Sequence, residues 1–216
     1  MTKRGIFITF EGGEGCGKST QIARLADALK HAGRDFILTR EPGGTAVGEQ
    51  IRYVLQYSKE SDNMTPEAEL LLFAASRAQL VREVIQPALD RGQVVISDRF
   101  LDSTTVYQGA ARSNPPEAVE AINQFAVNGL LPDVTFVFDL DVAIGRARLQ
   151  KRAGAVHDRM ESQPGEFYKA VRQGYLTLAR SQPARFILLD AAGSPDEVYA
   201  ELIAKLTERF HGLFES

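Results

Sequence analysis

Gly12, Gly13, Glu14, Gly15, Cys16, Gly17, Lys18 and Ser19, followed by Thr20, spell G-x-x-x-x-G-K-S. Glycines at this density let successive backbone N–H groups turn toward one point, and a helix opening at the lysine presents its positive end there, as a bound chain of phosphates requires. Lys18 supplies a cation for the terminal phosphates, and Ser19 a hydroxyl able to ligate Mg2+. A short apolar run precedes the motif and a helical pattern follows it, the context that separates a phosphate loop from a glycine-rich turn. Cys16 reads as a small residue tolerated in the loop and not as a nucleophile, since no histidine partner is implied nearby. No arginine stands between the glycines, so Lys18 is the loop's own cation and a second must come from elsewhere.

Three further stretches carry chemistry. In "SDRFLDSTTVYQGAAR", residues 97–112, Asp98 and Arg99 stand where a buried strand ends, the edge at which open α/β sheets bind ligands. The carboxylate suits Mg2+ and its water, and the guanidinium suits a phosphate. In "LLFAASRAQLV", residues 71–81, Phe73 and Arg77 are four apart and share one helix face, expected to lie beside a core stripe of Leu71, Ala74, Ala78, Val81 and Ile85. An aromatic plane beside a fixed donor fork fits a flat heterocycle, although a peripheral core phenylalanine and a solvated arginine would have the same spacing. In "TREPGGTAVGEQIR", residues 39–52, Arg40 and Glu41 sit at a second strand end, Pro42-Gly43-Gly44 forces a turn, and Arg52 follows on a helix.

These residues need a scaffold, and the apolar pattern predicts one. Strands are expected at 6–10, 35–39, 94–97, 134–139 and 186–189, with helices at 18–32, 46–56, 65–90, 116–128, 142–151, 165–181 and 195–210. Pro87 is expected to bend or tighten the end of the third helix. Short apolar strands alternating with helices indicate an α/β fold, a parallel sheet covered on both faces. Length and a 44% hydrophobic composition suit one domain across residues 1–216. A formal charge of -3 gives no field for a nucleic acid, so phosphate binding must be local. One cysteine excludes an internal disulfide framework, and residues 1–5 lead into too short an apolar run for a signal peptide or membrane span. A cytoplasmic location is expected.

A phosphate loop alone fits a GTPase switch, a motor or transport ATPase, a small-molecule kinase, or a nucleotide sensor without activity. The guanine-reading Asn-Lys-x-Asp is absent, because Asn63, Asn114, Asn123 and Asn128 are not followed by lysine. The glycine loop, "TREPGGT", "LLFAASR", "SDRFLDSTTVYQG", "NGLLPD" and the basic "RARLQKRAGAVHDRMES" occur here in one order, and with them the chain resembles bacterial-type thymidylate kinases over nearly its full length. The resemblance implies the three-layer P-loop fold with a five-stranded parallel core and a short mobile lid. It implies transfer of the γ-phosphoryl of ATP to dTMP with Mg2+, by a homodimer packed through helices, residues 116–128 among them. By the same resemblance Phe73 stacks on thymine while Arg77 and Gln108 bond its edge. Arg40, Arg52 and Arg99 hold the acceptor phosphate. Thr104 and Tyr107 border base and sugar, and Glu14 lies near the sugar hydroxyl and the phosphates.

Members of that family without an arginine in the loop supply it from the lid. Arg148 and Arg152, four apart beside Lys151 at the end of a helix, are the candidates within a lid segment at 148–163, though a basic run on a helix is ordinarily a solvated face. Arg159 would tie the lid down through Asp158. The loop at 190–193, with Arg148, is the expected neighbour of adenine.

Overall fold

The computed structural model describes residues 4–112, 114–151, 159 and 163–215, with backbone only at 60 and 62. Five strands, β1 Phe7–Gly12, β2 Phe36–Arg40, β3 Val94–Asp98, β4 Val134–Asp139 and β5 Phe186–Asp190, pair in parallel in the order β2-β3-β1-β4-β5. Nine helices surround them among the described residues: α1 Lys18–His31, α2 Ala46–Gln56, α3 Pro66–Leu80, α4 Gln86–Asp90, α5 Leu101–Thr104, α6 Pro116–Val127, α7 Val142–Gln150, α8 Gly165–Ser181 and α9 Pro195–Arg209. The α/β architecture expected from the sequence is present, a five-stranded parallel sheet with helices on both faces. None of the described helices is long and apolar enough to cross a membrane.

The pleat sorts the side chains. Ile8, Phe10, Ile96, Phe136 and Phe138 pack with Leu25 and Leu29 of α1 and Leu202 and Leu206 of α9. Phe7 and Val95 face the opposite way, onto Leu80 of α3 and Leu89 of α4, while Val137 meets Val171 and Tyr175 of α8. A one-residue slip would exchange the faces, and with each buried side chain contributing about 1.5–3 kcal/mol the register is strongly fixed. That register places Arg40 and Phe10 on either side of Asp98, and Gly12 beside Phe138. The carboxyl ends of β1 to β4 therefore converge on one rim.

Helix starts follow from local chemistry. Thr45 and Thr65 accept from the N–H groups of Gly48 and Ala68, and Ser194 with Glu197 closes a reciprocal cap on α9. The helix expected over 65–90 is helical throughout but not uniform, for a wide π turn over Val81–Ile85 separates α3 from α4. Pro87 has no N–H for the Glu83 carbonyl and crowds it, and the widened turn just before relieves that conflict. The expected stripe also needs correction: Leu71 is 55% exposed, and the buried face runs through Leu70, Ala74, Arg77, Leu80 and Val81. A buried arginine defeats a pattern built on apolar residues. α5 continues as a second π turn, Thr105–Ala110, which the β-branched and glycine-containing sequence conceals.

Candidate active site

The phosphate loop leaves β1 at Gly12, whose φ of 138° suits glycine, and a Cβ there would stand 2.7 Å from the Phe138 carbonyl. Gly15, at φ 70°, lies so close to α7 that a Cβ would run into the Gly145 carbonyl. Cys16 is buried in the core between the sheet, α1 and α9, in keeping with a packing role. Lys18 curls back over the loop and donates Nζ to the Gly13 and Gly12 carbonyls at 3.2 and 3.4 Å. Burial and the Arg99 charge work against its ammonium, but Cys16, Asp98 and Glu14 outweigh them and raise its pKa. Ser19 and Thr20 open α1 on the exposed side of the loop.

Asp98 ends β3 with Oδ1 buried and unpaired with any protein donor. An orphaned carboxylate oxygen is costly unless something else binds it. It lines the same cavity as Ser19, so the pair fits a Mg2+ ion held by a hydroxyl and a carboxylate or its water. Arg99 follows in the left-handed region, φ 70°. Its backbone N–H donates to the Phe10 carbonyl at 3.0 Å and its NH1 to the Gly12 carbonyl at 3.1 Å, while NH2 forms a short ion pair with Glu14. Tyr107 lies under the guanidinium, 5.0 Å from ring centre to Cζ, and its hydroxyl donates to Glu14 at 3.4 Å. Burial opposes ionisation of Glu14, yet Arg99 and Lys18 prevail and hold its carboxyl below the usual range.

Opposite the loop, Arg40 pairs with Glu49 at 2.9 Å and Arg52 donates to the Pro42 carbonyl at 2.9 Å. Arg77 is 1% exposed. Nε and NH2 engage Glu41, NH1 donates to Asn123 Oδ1 at 2.9 Å, and NH2 also reaches Thr104 Oγ1 at 2.9 Å. Arg77 and Thr104 thus stand behind the cavity wall, while Phe73, Tyr107 and Gln108 form it. Gln108 donates its amide nitrogen to Glu69 at 2.9 Å. Glu69 accepts only, so the bond orients the amide, with the Gln108 side-chain carbonyl oxygen and its second N–H left over. Arg112 and Arg159 also bond Glu69, so Arg159 anchors one end of the expected lid to α3. Asp158 and Arg152 lie outside the described residues, as does most of 148–163. Arg148 lines the cavity and donates to the Ala191 carbonyl at 3.1 Å, beside Gly193.

One cavity of about 730 Å3 thus joins phosphate loop, Asp98, Arg99, Arg40, Arg52, Phe73, Gln108 and the 190–193 loop. A family model described as thymidylate kinase matches residues 10–202. The chain belongs to the thymidylate kinase family. It is 44% identical over 206 residues to a thymidylate kinase of Bifidobacterium longum (strain DJO10A), covering 94% of this chain and 98% of that one. To the Deinococcus radiodurans thymidylate kinase it is 45% identical over 208 residues, covering 96% and 99%. A crystal structure of thymidylate kinase from Ehrlichia chaffeensis superimposes with a TM-score of 0.75 at 32% identity, covering 94% of this chain and 99% of that one. The chain is accordingly an enzyme of the kinase class.

Within this family fold, several residues of the site have no signal in the sequence. Glu11 and Tyr175 flank Arg99 from β1 and α8, Asn123 and Glu69 carry buried bonds of Arg77 and Gln108, and Glu41, visible in the sequence only as a strand-end charge, is the buried partner of Arg77. An acidic residue at a strand end reads as solvated until the fold buries it. The Arg77–Glu41 pair separates structural arginines from exposed ones. Arg77→Met is expected to cost about 3–5 kcal/mol because Glu41 is left buried and unpaired, whereas Arg40→Ala removes an exposed pair worth about 0–1 kcal/mol. Urea unfolding of both variants measures this, and equal losses would refute the distinction.

Proposed function

We propose that this enzyme, as one domain, transfers the γ-phosphoryl group of ATP to dTMP, giving dTDP and ADP. The observation that carries the reading is the shared cavity, which a phosphate loop, an aromatic and amide wall, and Arg40 and Arg52 line together. Thymine offers an N3–H donor between two carbonyl acceptors. The oriented carbonyl of Gln108 suits that donor, and Phe73 suits the ring face. Arg40 and Arg52 suit the acceptor phosphate, with Arg99 and Glu14 between the two nucleotides. Tyr107 borders the sugar. Arg77 and Thr104 serve the base by holding the wall against which it rests.

The acceptor is already an anionic phosphate, so no general base is required. Positioning and charge stabilisation carry the transfer. Lys18 and the loop N–H groups hold the donor phosphates, Arg99 lies between donor and acceptor, and the 190–193 loop receives adenine beside Arg148. Mg2+, held through Ser19 and Asp98, would neutralise charge on the donor phosphates. A lid arginine, Arg148 or Arg152, supplies the cation that the glycine loop lacks. The composition and the single cysteine accord with work in the cytoplasm, with neither nucleic acid nor membrane as partner.

We also propose a homodimer. Phe125 of α6 is 81% exposed and Leu71 of α3 55%, and α3 packs directly on α6, so each of two neighbouring helices carries a large apolar side chain that a second copy would cover. Sedimentation is expected to give twice the chain mass, and Phe125→Glu to give the single mass. A monomeric wild type would end this part of the reading.

A coupled ADP-release assay across dTMP, dUMP, UMP, CMP, AMP and GMP tests the activity. Fastest turnover is expected with dTMP, and none after EDTA. Activity on no acceptor, or best activity on a ribonucleotide, overturns it. For the lid, Arg148→Ala or Arg152→Ala is expected to lower kcat by about 10³-fold or more at saturating substrates. Both variants within a few-fold of wild type would remove the lid from catalysis.

A further inference from the structure

Glu11 is a fully buried acid with three donors and a single orientation. Its Oε1 accepts the Phe100 N–H at 2.8 Å, and its Oε2 accepts the Ser103 and Tyr175 hydroxyls at 2.6 and 2.7 Å. Both hydroxyl oxygens also lie within reach of Arg99 NH1, at 3.2 and 3.3 Å. The two hydroxyls also lie 2.9 Å from each other. A carboxylate only accepts and a guanidinium only donates, so neither hydroxyl donates to Arg99, and the arrangement that serves both charges has each hydroxyl giving its proton to Glu11 and turning its lone pairs to Arg99.

We propose, resting on the dTMP kinase reading, that Glu11 is a positioning residue which holds the Arg99 guanidinium between donor and acceptor phosphates through the hydroxyls of Ser103 and Tyr175. The role requires the ionised form. Because Oε1 is committed to the Phe100 N–H, a proton taken up by Glu11 goes to Oε2 and meets two hydroxyls that were donating to it. The hydroxyl that receives it passes its own proton to the other hydroxyl, 2.9 Å away, or turns it toward Arg99, and in either case the negative charge that polarised both oxygens toward the guanidinium is gone. Burial, and after it the charge of Asp102, pushes the Glu11 carboxyl up to about 7, while Arg99, Ser103 and Tyr175 pull the other way. Asp102 is itself paired with Arg185 at 2.6 Å, and Tyr175, its own pKa raised by burial, stays a phenol. The raised carboxyl gains its proton as pH falls through about 7, so turnover should fall there too.

Glu11→Gln makes the protonated arrangement permanent, since its oxygen keeps the Phe100 bond and its amide N–H groups face the hydroxyls. Steady-state rates with ATP and dTMP across pH 6 to 9 read the result. Glu11→Gln is expected to lower kcat by about 10- to 100-fold and to lose the enzyme-borne acid limb, leaving the phosphate titration that the substrates impose on both proteins. Tyr175→Phe and Ser103→Ala are each expected to lower kcat, and adding Tyr175→Phe to Glu11→Gln should cost little more, as residues acting through one network are not additive. A merely structural Glu11 would lower the melting temperature and leave the shape of the pH profile unchanged. A wild-type kcat in Glu11→Gln, or an unshifted acid limb, overturns the proposal. If Glu11→Gln does not fold, wild-type kcat in both hydroxyl variants overturns it. Wild type inactive on dTMP is a separate failure, that of the functional reading, and the same comparison then runs on whichever acceptor the wild type uses.

Discussion

Arg99 is a cation largely withdrawn from water, and much of the site is arranged to make that tolerable. Taking a charge out of solvent costs several kcal/mol, even after relaxation, unless partners replace the lost hydration. Here they come from four directions: Glu14 and the Gly12 carbonyl from the phosphate loop, Ser103 and Tyr175 from α5 and α8, and the face of Tyr107 beneath. Its backbone is strained as well, at φ 70°, worth about 1–3 kcal/mol. The Ser97 hydroxyl donates to its carbonyl at 2.7 Å and helps to hold that turn. A sheet that is rigid on both faces can bear such strain at its rim.

Other cations on the acceptor side also have carboxylate partners: Arg40 with Glu49, Arg77 with Glu41, Arg112 and Arg159 with Glu69. Environment decides which of them can exchange that partner for a phosphate. Arg40 and Glu49 are about half exposed, and such a pair is worth at most about 1 kcal/mol, so an incoming dianion competes easily. Arg77 and Glu41 are sealed from solvent, where separation leaves two bare charges. One pair can therefore be opened at little cost, and the other is fixed in the wall. Identical residue types at similar distances thus take opposite roles.

Much of this was legible beforehand, for reasons that differ by residue. The phosphate loop is contiguous, so its glycines, Lys18 and Ser19 carry their geometry in their spacing. The central strands β1, β3 and β4 show because both faces are buried and their runs are apolar, the half-exposed edge strands β2 and β5 because their short runs stay apolar, and Thr65-Pro66 and Ser194-Pro195 mark helix starts by local hydrogen bonding. What failed were features set by distant partners. Spacing put Phe73 and Arg77 on one face but could not reveal that Glu41 and Asn123 would meet Arg77 there, and so misassigned Leu71 to the core. Glu11 looks like the polar end of a strand until Tyr175, 164 positions along the chain, closes over it.

Where α7 crosses the phosphate loop, Gly15 and Gly145 meet main chain to main chain. Contacts made through side chains absorb small displacements by changing rotamer. This seam has no cushion. A tilt of α7 reaches the loop undamped, and Arg148, less than one turn further along that helix, travels with it. The two glycines form a bare bearing between α7 and the phosphate loop, so that neither can shift without moving the other.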